Sequence, residues 1–202
     1  MYTSKQRLDH GVKHELGFEK LFTSFDGIQC EPFGQVLLPD SAREVLRNVK
    51  IHVDSDLGKE LINTLPEDWR HIYKRGIGDY LPSLSRWDPD YILHENKEPI
   101  AFVEVKSSIA PTGNVSIEMS GLLAALVNSK RLGLLQIYAF SPCEEKDFWS
   151  YTTLEKLMEI ACRPNDGSKT RGSNRPFVLI PKREIVCNLE SVFVNHETTS
   201  TF

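Results

Sequence analysis

The 202-residue chain is short of cysteine: Cys30, Cys143, Cys162 and Cys187 lie far apart, with no CxxC pair and no zinc-finger spacing to a histidine. That argues against a disulfide framework and a cysteine-based zinc site, and predicts reduced, mostly packed thiols. Long apolar runs are missing too. The greasiest stretches, 121–127 and 132–140, fall well short of the roughly 18 residues that a membrane-spanning helix requires. The first ten residues are polar and charged and do not resemble a secretory signal, so the expectation is a cytoplasmic protein with no membrane partner. Nor is there a basic excess: 24 Lys and Arg face 28 Asp and Glu, for a net charge of −4. Phosphate binding rewards the opposite balance, so any contact with nucleic acid must come from a local basic surface. No internal repeat, heptad stretch or low-complexity tract is present.

What is there suits one domain with a real apolar core, spanning 1–202, with its core at about 4–140 and a decoration at about 141–202. Leu8, Val12, Leu16, Phe22 and Phe25 recur at helical steps, predicting a first helix within 4–25. A short strand is expected at 33–38. Ser41 and Glu44 read as a capping box, followed by a strand at 49–53 and a helix carrying Leu57, Leu61, Ile62 and Leu65. Residues 88–94 and 99–107 are β-rich and joined by Glu95-Asn96-Lys97-Glu98, a hairpin. A loop through Pro111, Thr112, Gly113 and Asn114 precedes a helix expected at 116–131, and 134–140 reads as another apolar strand. Thr152 and Glu155 predict a capped helix to about Ala161, with strands at 177–180 and 185–189.

The chemistry concentrates in Pro89-Asp90, thirteen further residues, and Glu104-Val105-Lys106. Alternate strand residues share a face, so Glu104 and Lys106 point one way and Val105 the other. The hairpin folds Asp90 back beside the end of the second strand. Charged groups at the end of a greasy strand require a reason, since Glu and Lys are seldom buried without a partner or a function. Two carboxylates suit a hard cation, and an ammonium suits a phosphate. The competing reading puts Asp90 at a turn and makes Glu104 and Lys106 a solvated salt bridge on an edge strand.

Pro89-Asp90 and Glu104-Val105-Lys106 resemble the motif of the PD-(D/E)XK nuclease superfamily, which includes many type II restriction endonucleases. The resemblance covers the two motifs and the element order over roughly the first two-thirds of the chain. It implies an α/β, restriction-endonuclease-like core: a mixed central sheet flanked by helices, here with an extra C-terminal helix and strands. It also implies an endonuclease that uses Mg²⁺, with Mn²⁺ able to substitute. Asp90 and Glu104 would bind the metal, the Val105 carbonyl would be a further ligand, and Lys106 would be catalytic. An acid from the first helix often joins such sites, and Glu15 and Glu19, one turn apart, are both eligible, with Glu19 in the more apolar setting. Restriction-type cleavage of double-stranded DNA is the activity implied, and cutting both strands implies a homodimer. Structure-selective repair, junction or transposition nucleases and RNA endonucleases keep the same chemistry. A non-catalytic nucleic-acid-binding subunit is the alternative outside enzymology.

Weaker features remain. Glu118 is either a further site acid or a carboxylate favouring a helix N-terminus. Arg70, Lys74 and Arg75, with His71, and separately Lys169 and Arg171, are candidates for gripping a phosphate backbone or are simply solvated charge. Gln136 and Tyr138 fall on a strand, and so do not reproduce the Gln-and-Tyr helix of exonuclease-like members.

Overall fold

The computed structural model of the chain describes residues 18, 27–106, 113–141, 149–165, 175–185, 189 and 192, apart from the side chains of 35, 36 and 47. Nine strands and five α-helices are found among these residues. The strands are β1 (Ile28–Pro32), β2 (Lys50–His52), β3 (Tyr80–Pro82), β4 (Tyr91–Glu95), β5 (Glu98–Lys106), β6 (Asn114–Glu118), β7 (Leu135–Phe140), β8 (Ser150–Thr153) and β9 (Phe177–Pro181). The helices are α1 (Asp40–Asn48), α2 (Asp56–Ile62), α3 (Glu67–Ile77), α4 (Met119–Leu132) and α5 (Leu154–Ile160).

The central sheet has five strands in the order β1-β4-β5-β7-β8, and it is mixed: β5 and β7 are parallel while every other neighbouring pair is antiparallel. The expected α/β class, a mixed central sheet flanked by helices, is therefore present. β5 is the middle strand, and Ala101, Phe102 and Val103 are buried in it. All six residues of β7 are buried, as expected for a strand parallel to its neighbour and covered on both faces. The parallel β5–β7 pair needs a crossover, and α4 supplies it. The sheet also takes in β8, past residue 140. β2 pairs with β3, and β6 with β9, in two small antiparallel ribbons.

Apolar residues pack on both sides of the sheet. On one side Leu122 and Leu123 of α4 meet Tyr138, Phe140, Leu81 and Ile180. On the other, Phe18, Tyr91, Leu93, Val103, Ile137 and Ala139 form a second cluster, where Phe18 lies 5.4 Å from the Tyr91 ring and 5.3 Å from the Trp149 ring. Alternation along β7 produces this division: Leu135, Ile137 and Ala139 face one layer, Tyr138 and Phe140 the other.

Several local expectations are corrected. The stretch 33–38 holds a 3₁₀ turn at Gly34–Leu37 and no strand, because Gly34 at φ +70° turns the chain out of extended conformation; the strand lies earlier, at β1. Ser41 is not a helix cap, since α1 begins at Asp40 after Pro39. The helix expected from Ser116 starts only at Met119, because Val115 and Ile117 are buried while Ser116 is exposed: the period is two, and the segment is β6. The C-terminal helix is capped by Thr153, whose Oγ1 accepts a hydrogen bond from the Lys156 amide at 3.1 Å, and not by Thr152. Of the strand expected at 185–189 only Ile185 and Leu189 are among the described residues, and neither is extended in a sheet: Ile185 follows a 3₁₀ turn at Lys182–Glu184, and Leu189 is helical. The expected first helix lies outside the described residues except for Phe18, which is helical and buried. No helix among the described residues is long and apolar enough to cross a membrane.

Candidate active site

Asp90 is held from three directions. Its carbonyl accepts from the Phe33 amide at 2.9 Å, its amide donates to the Val103 carbonyl at 3.0 Å, and its Oδ2 accepts from the Val105 amide at 2.7 Å. The last bond extends the β4–β5 pairing by one side chain, so the carboxylate lies on the peptide between Glu104 and Lys106. The hairpin that creates this register turns through Asn96 at φ 51° and Lys97 at φ 71°, a two-residue turn with both central residues in the left-handed region.

Glu104 and Lys106 share a face of β5, both half-buried, and the Lys106 ammonium donates to Glu104 Oε1. The strand they occupy is central, which removes the edge-strand salt bridge as the explanation. Burial works against the Lys106 charge, but Glu104, Asp90, the hydrogen bond to Glu104 and Glu118 together outweigh it, and the pKa is held above the ordinary lysine value. Lys106 is therefore a charged donor and not a base near neutral pH.

Behind this pair lies a cleft of about 230 Å³ whose lining includes Trp87, Glu104, Lys106, Glu118, Gln136 and Tyr138. Trp87 reaches the cleft because α4 presents Gly121 to it: a Cβ at that position would stand 2.8 Å from Trp87 Cδ1. Arg86 and Arg175 bring their guanidinium carbons within 5.5 Å and 6.0 Å of the centre of the Trp87 ring system. Tyr138 Cα is in register with Glu104 across the parallel pair, and burial, then the Glu104 charge, drive its hydroxyl pKa upward.

Glu118 occupies the N-cap position of α4 without a capping hydrogen bond. It pairs instead with Arg175 Nη1 at 2.9 Å and faces the cleft. Its place at a helix start and its place in the cleft thus coincide. Among the basic candidates, the Arg70 guanidinium donates to the carbonyls of Leu65 and Asn63, both at 3.0 Å, which gives it a local structural task. Lys74 is half-buried and Arg75 exposed on α3. Glu15, Glu19, Lys169 and Arg171 lie outside the described residues.

Two residues at the candidate site, Trp87 and Asp88, carry no catalytic pattern of their own in the sequence. Asp88 sits two residues before Asp90, and burial and then Glu104 push its pKa up to about 6. The doubled acid of Asp88-Pro89-Asp90 was the one available signal.

Among the described residues no three His, Cys, Asp or Glu side chains converge as a self-sufficient metal cage. The donors present are two carboxylates and the neighbouring Val105 carbonyl. Hard oxygen donors of this number fit Mg²⁺ or Mn²⁺, since Mg²⁺ commonly binds through one or two carboxylates, its own waters and substrate phosphates.

No protein-family model matches the chain. No curated protein matches it either. Among solved structures it is similar to a Holliday junction resolvase of the archaeal hyperthermophile Archaeoglobus fulgidus, at 12% identity and a TM-score of 0.33, over 48% of this chain and 64% of that one. It is also similar to a nuclease from a fusselovirus, at 8% identity and a TM-score of 0.40, over 92% of this chain and 88% of that one. The match thus spans less than two-thirds of the resolvase's own length.

Proposed function

We propose that this chain is a divalent-metal-dependent nuclease of the PD-(D/E)XK kind, hydrolysing phosphodiesters in double-stranded DNA as a restriction-type homodimer. The observation that supports it is the Asp90 carboxylate bonded to the Val105 amide, between Glu104 and Lys106 on the central strand. Asp90, Glu104 and the Val105 carbonyl would hold the cation. When bound, Mg²⁺ supplies Lewis-acid polarisation of the phosphoryl oxygen and acidifies water. Lys106, kept charged by its carboxylate neighbours, donates to a phosphate oxygen and stabilises the negative charge that grows there during attack. Glu104, through its contact with Lys106, also aims the ammonium. Arg86, beside Trp87, supplies local positive charge on a molecule that is acidic as a whole.

The test is incubation with plasmid, linear duplex, four-way junction and RNA, with Mg²⁺ or EDTA, comparing the wild type with Asp90→Ala and Lys106→Ala. Metal-dependent fragments that disappear in both variants are expected, with losses on the order of 10²-fold or more. A Lys106→Ala protein that cuts as well as wild type sinks the mechanism. Cleavage at one short duplex sequence supports the restriction reading, whereas dependence on junctions or RNA replaces it. Binding without cutting under any metal condition leaves a nucleic-acid-binding subunit. Light scattering tests the dimer.

A further inference from the structure

Gln136 is buried in β7 at 3% exposure, and its Nε2 has no hydrogen-bond partner among the described residues. It lines the cleft behind Glu104 and Lys106. A buried amide donor left unpaired is costly, and a leucine of similar size would pack there without that cost. The position therefore makes physical sense if a ligand meets the amide.

We propose that this cleft is a nucleobase pocket, receiving the base of a nucleotide next to the scissile phosphate, with the Gln136 amide reading its edge. The proposal rests on the nuclease reading above. Four observations support a base as the occupant. The cleft, about 230 Å³, falls below the roughly 300–1,000 Å³ of drug-sized sites, and so suits a single ring system and not a base pair. Its charged lining is two carboxylates, Glu104 and Glu118, and one lysine, which offers nothing to a second phosphate. Trp87 and Tyr138 supply aromatic surface and Ile117 apolar surface, as a flat, largely neutral group requires. Lastly, Gln136 precedes Tyr138 by two residues on the same face of β7, and Tyr138 is level with Glu104. Gln136 thus lies about 7 Å along the strand from the level of Glu104, within one nucleotide's reach of it. A glutamine amide carries both donors and an acceptor, the complement of a base edge.

The experiment begins by mapping the bond that the wild type cuts in an oligonucleotide with Mg²⁺. That oligonucleotide is then resynthesised with an abasic residue on one or the other side of the bond. In the wild type, an abasic residue at one of these positions should lower kcat/KM roughly tenfold. Gln136→Leu should lower cleavage of the intact strand several-fold and respond less than the wild type to the abasic residue, because Trp87 and Tyr138 still face the base. Its thermal midpoint should rise by roughly 2–4 °C, since it removes an unpaired buried donor, whereas a purely structural glutamine would lower it. A wild type blind to both abasic positions, a Gln136→Leu protein that keeps the full base dependence of the wild type, or a lower midpoint overturns the proposal. Metal-dependent cutting that vanishes in Asp90→Ala but ignores the missing base overturns the pocket alone. A wild type that never cuts brings down the nuclease reading, and the pocket with it.

Discussion

Tyr73 is wholly buried on α3, and its hydroxyl shares a 3.0 Å hydrogen bond with Ser120 at the start of α4. The neighbouring Gly121 supports Trp87, so this one bond braces the wall of the cleft from behind. Burial pushes the Tyr73 hydroxyl up to about 12, with the Ser120 bond opposing and Glu118 adding to the rise. A tyrosine of the unfolded chain ionises near pH 10. The folded state thus holds the proton more tightly, and this contribution is fully present below pH 10 and lost between about 10 and 12. Tyr73→Phe should cost about 1 kcal/mol at pH 7 through the lost hydrogen bond. Between pH 10 and 12 it should lose up to roughly 3 kcal/mol less than the wild type. Urea midpoints across that pH range measure both, and an alkaline loss identical in the two proteins would refute the assignment.

At the scale of elements, the hairpin β4–β5 does most to build the site. Its turn places Lys97 in a left-handed conformation that glycine adopts without a Cβ clash. Lys97→Gly should therefore stabilise the protein by about 0.5–1 kcal/mol, after allowing for glycine's greater freedom in the unfolded chain. Cleavage should be unchanged, because the register across Tyr91–Val103 is the same. Chemical denaturation checks the first statement, and a destabilised Lys97→Gly protein would show that the lysine side chain contributes more than its backbone strain costs. Sequence patterning was adequate for this hairpin and for β7, since hydrophobic period and turn chemistry are local properties. It failed at Ser116-Ile117-Glu118, where a strand of five residues runs straight into α4. A period-two segment that short is absorbed into the helical pattern beside it unless its partner strand, β9, is known.

For the whole molecule, an overall charge of −4 places the burden of anion binding on a local surface and the burden of cation binding on the cleft. Asp90 and Glu104 are held close to neutral-pH Lys106 in the folded chain alone, so a cation taken by them stabilises the fold by mass action. Mg²⁺ at about 100 times its Kd should add ~2.7 kcal/mol, or roughly 5–10 °C in thermal midpoint for a chain of this size. Asp90→Asn and Glu104→Gln should each abolish most of that gain. A midpoint that ignores Mg²⁺ in the wild type, or rises equally in both variants, would remove these carboxylates as metal ligands.

The α/β class, the central apolar strand and the shared face of Glu104 and Lys106 are legible in the local side-chain pattern. Each depends on side-chain periodicity within one strand or one turn, which contacts elsewhere do not alter. What surrounds that face depends on the packing of distant segments. Trp87 comes from a 3₁₀ turn, Glu118 from a ribbon strand, Gln136 from β7 and Arg175 from the approach to β9, and they meet because α4 carries the chain across the sheet from β5 to β7. Their convergence is set by strand order and helix packing, long-range terms that leave no spacing in the sequence. For the same reason Gln136 could be read from its neighbours as an ordinary strand residue, and only its unpaired burial beside the carboxylates marks it as a group awaiting a ligand.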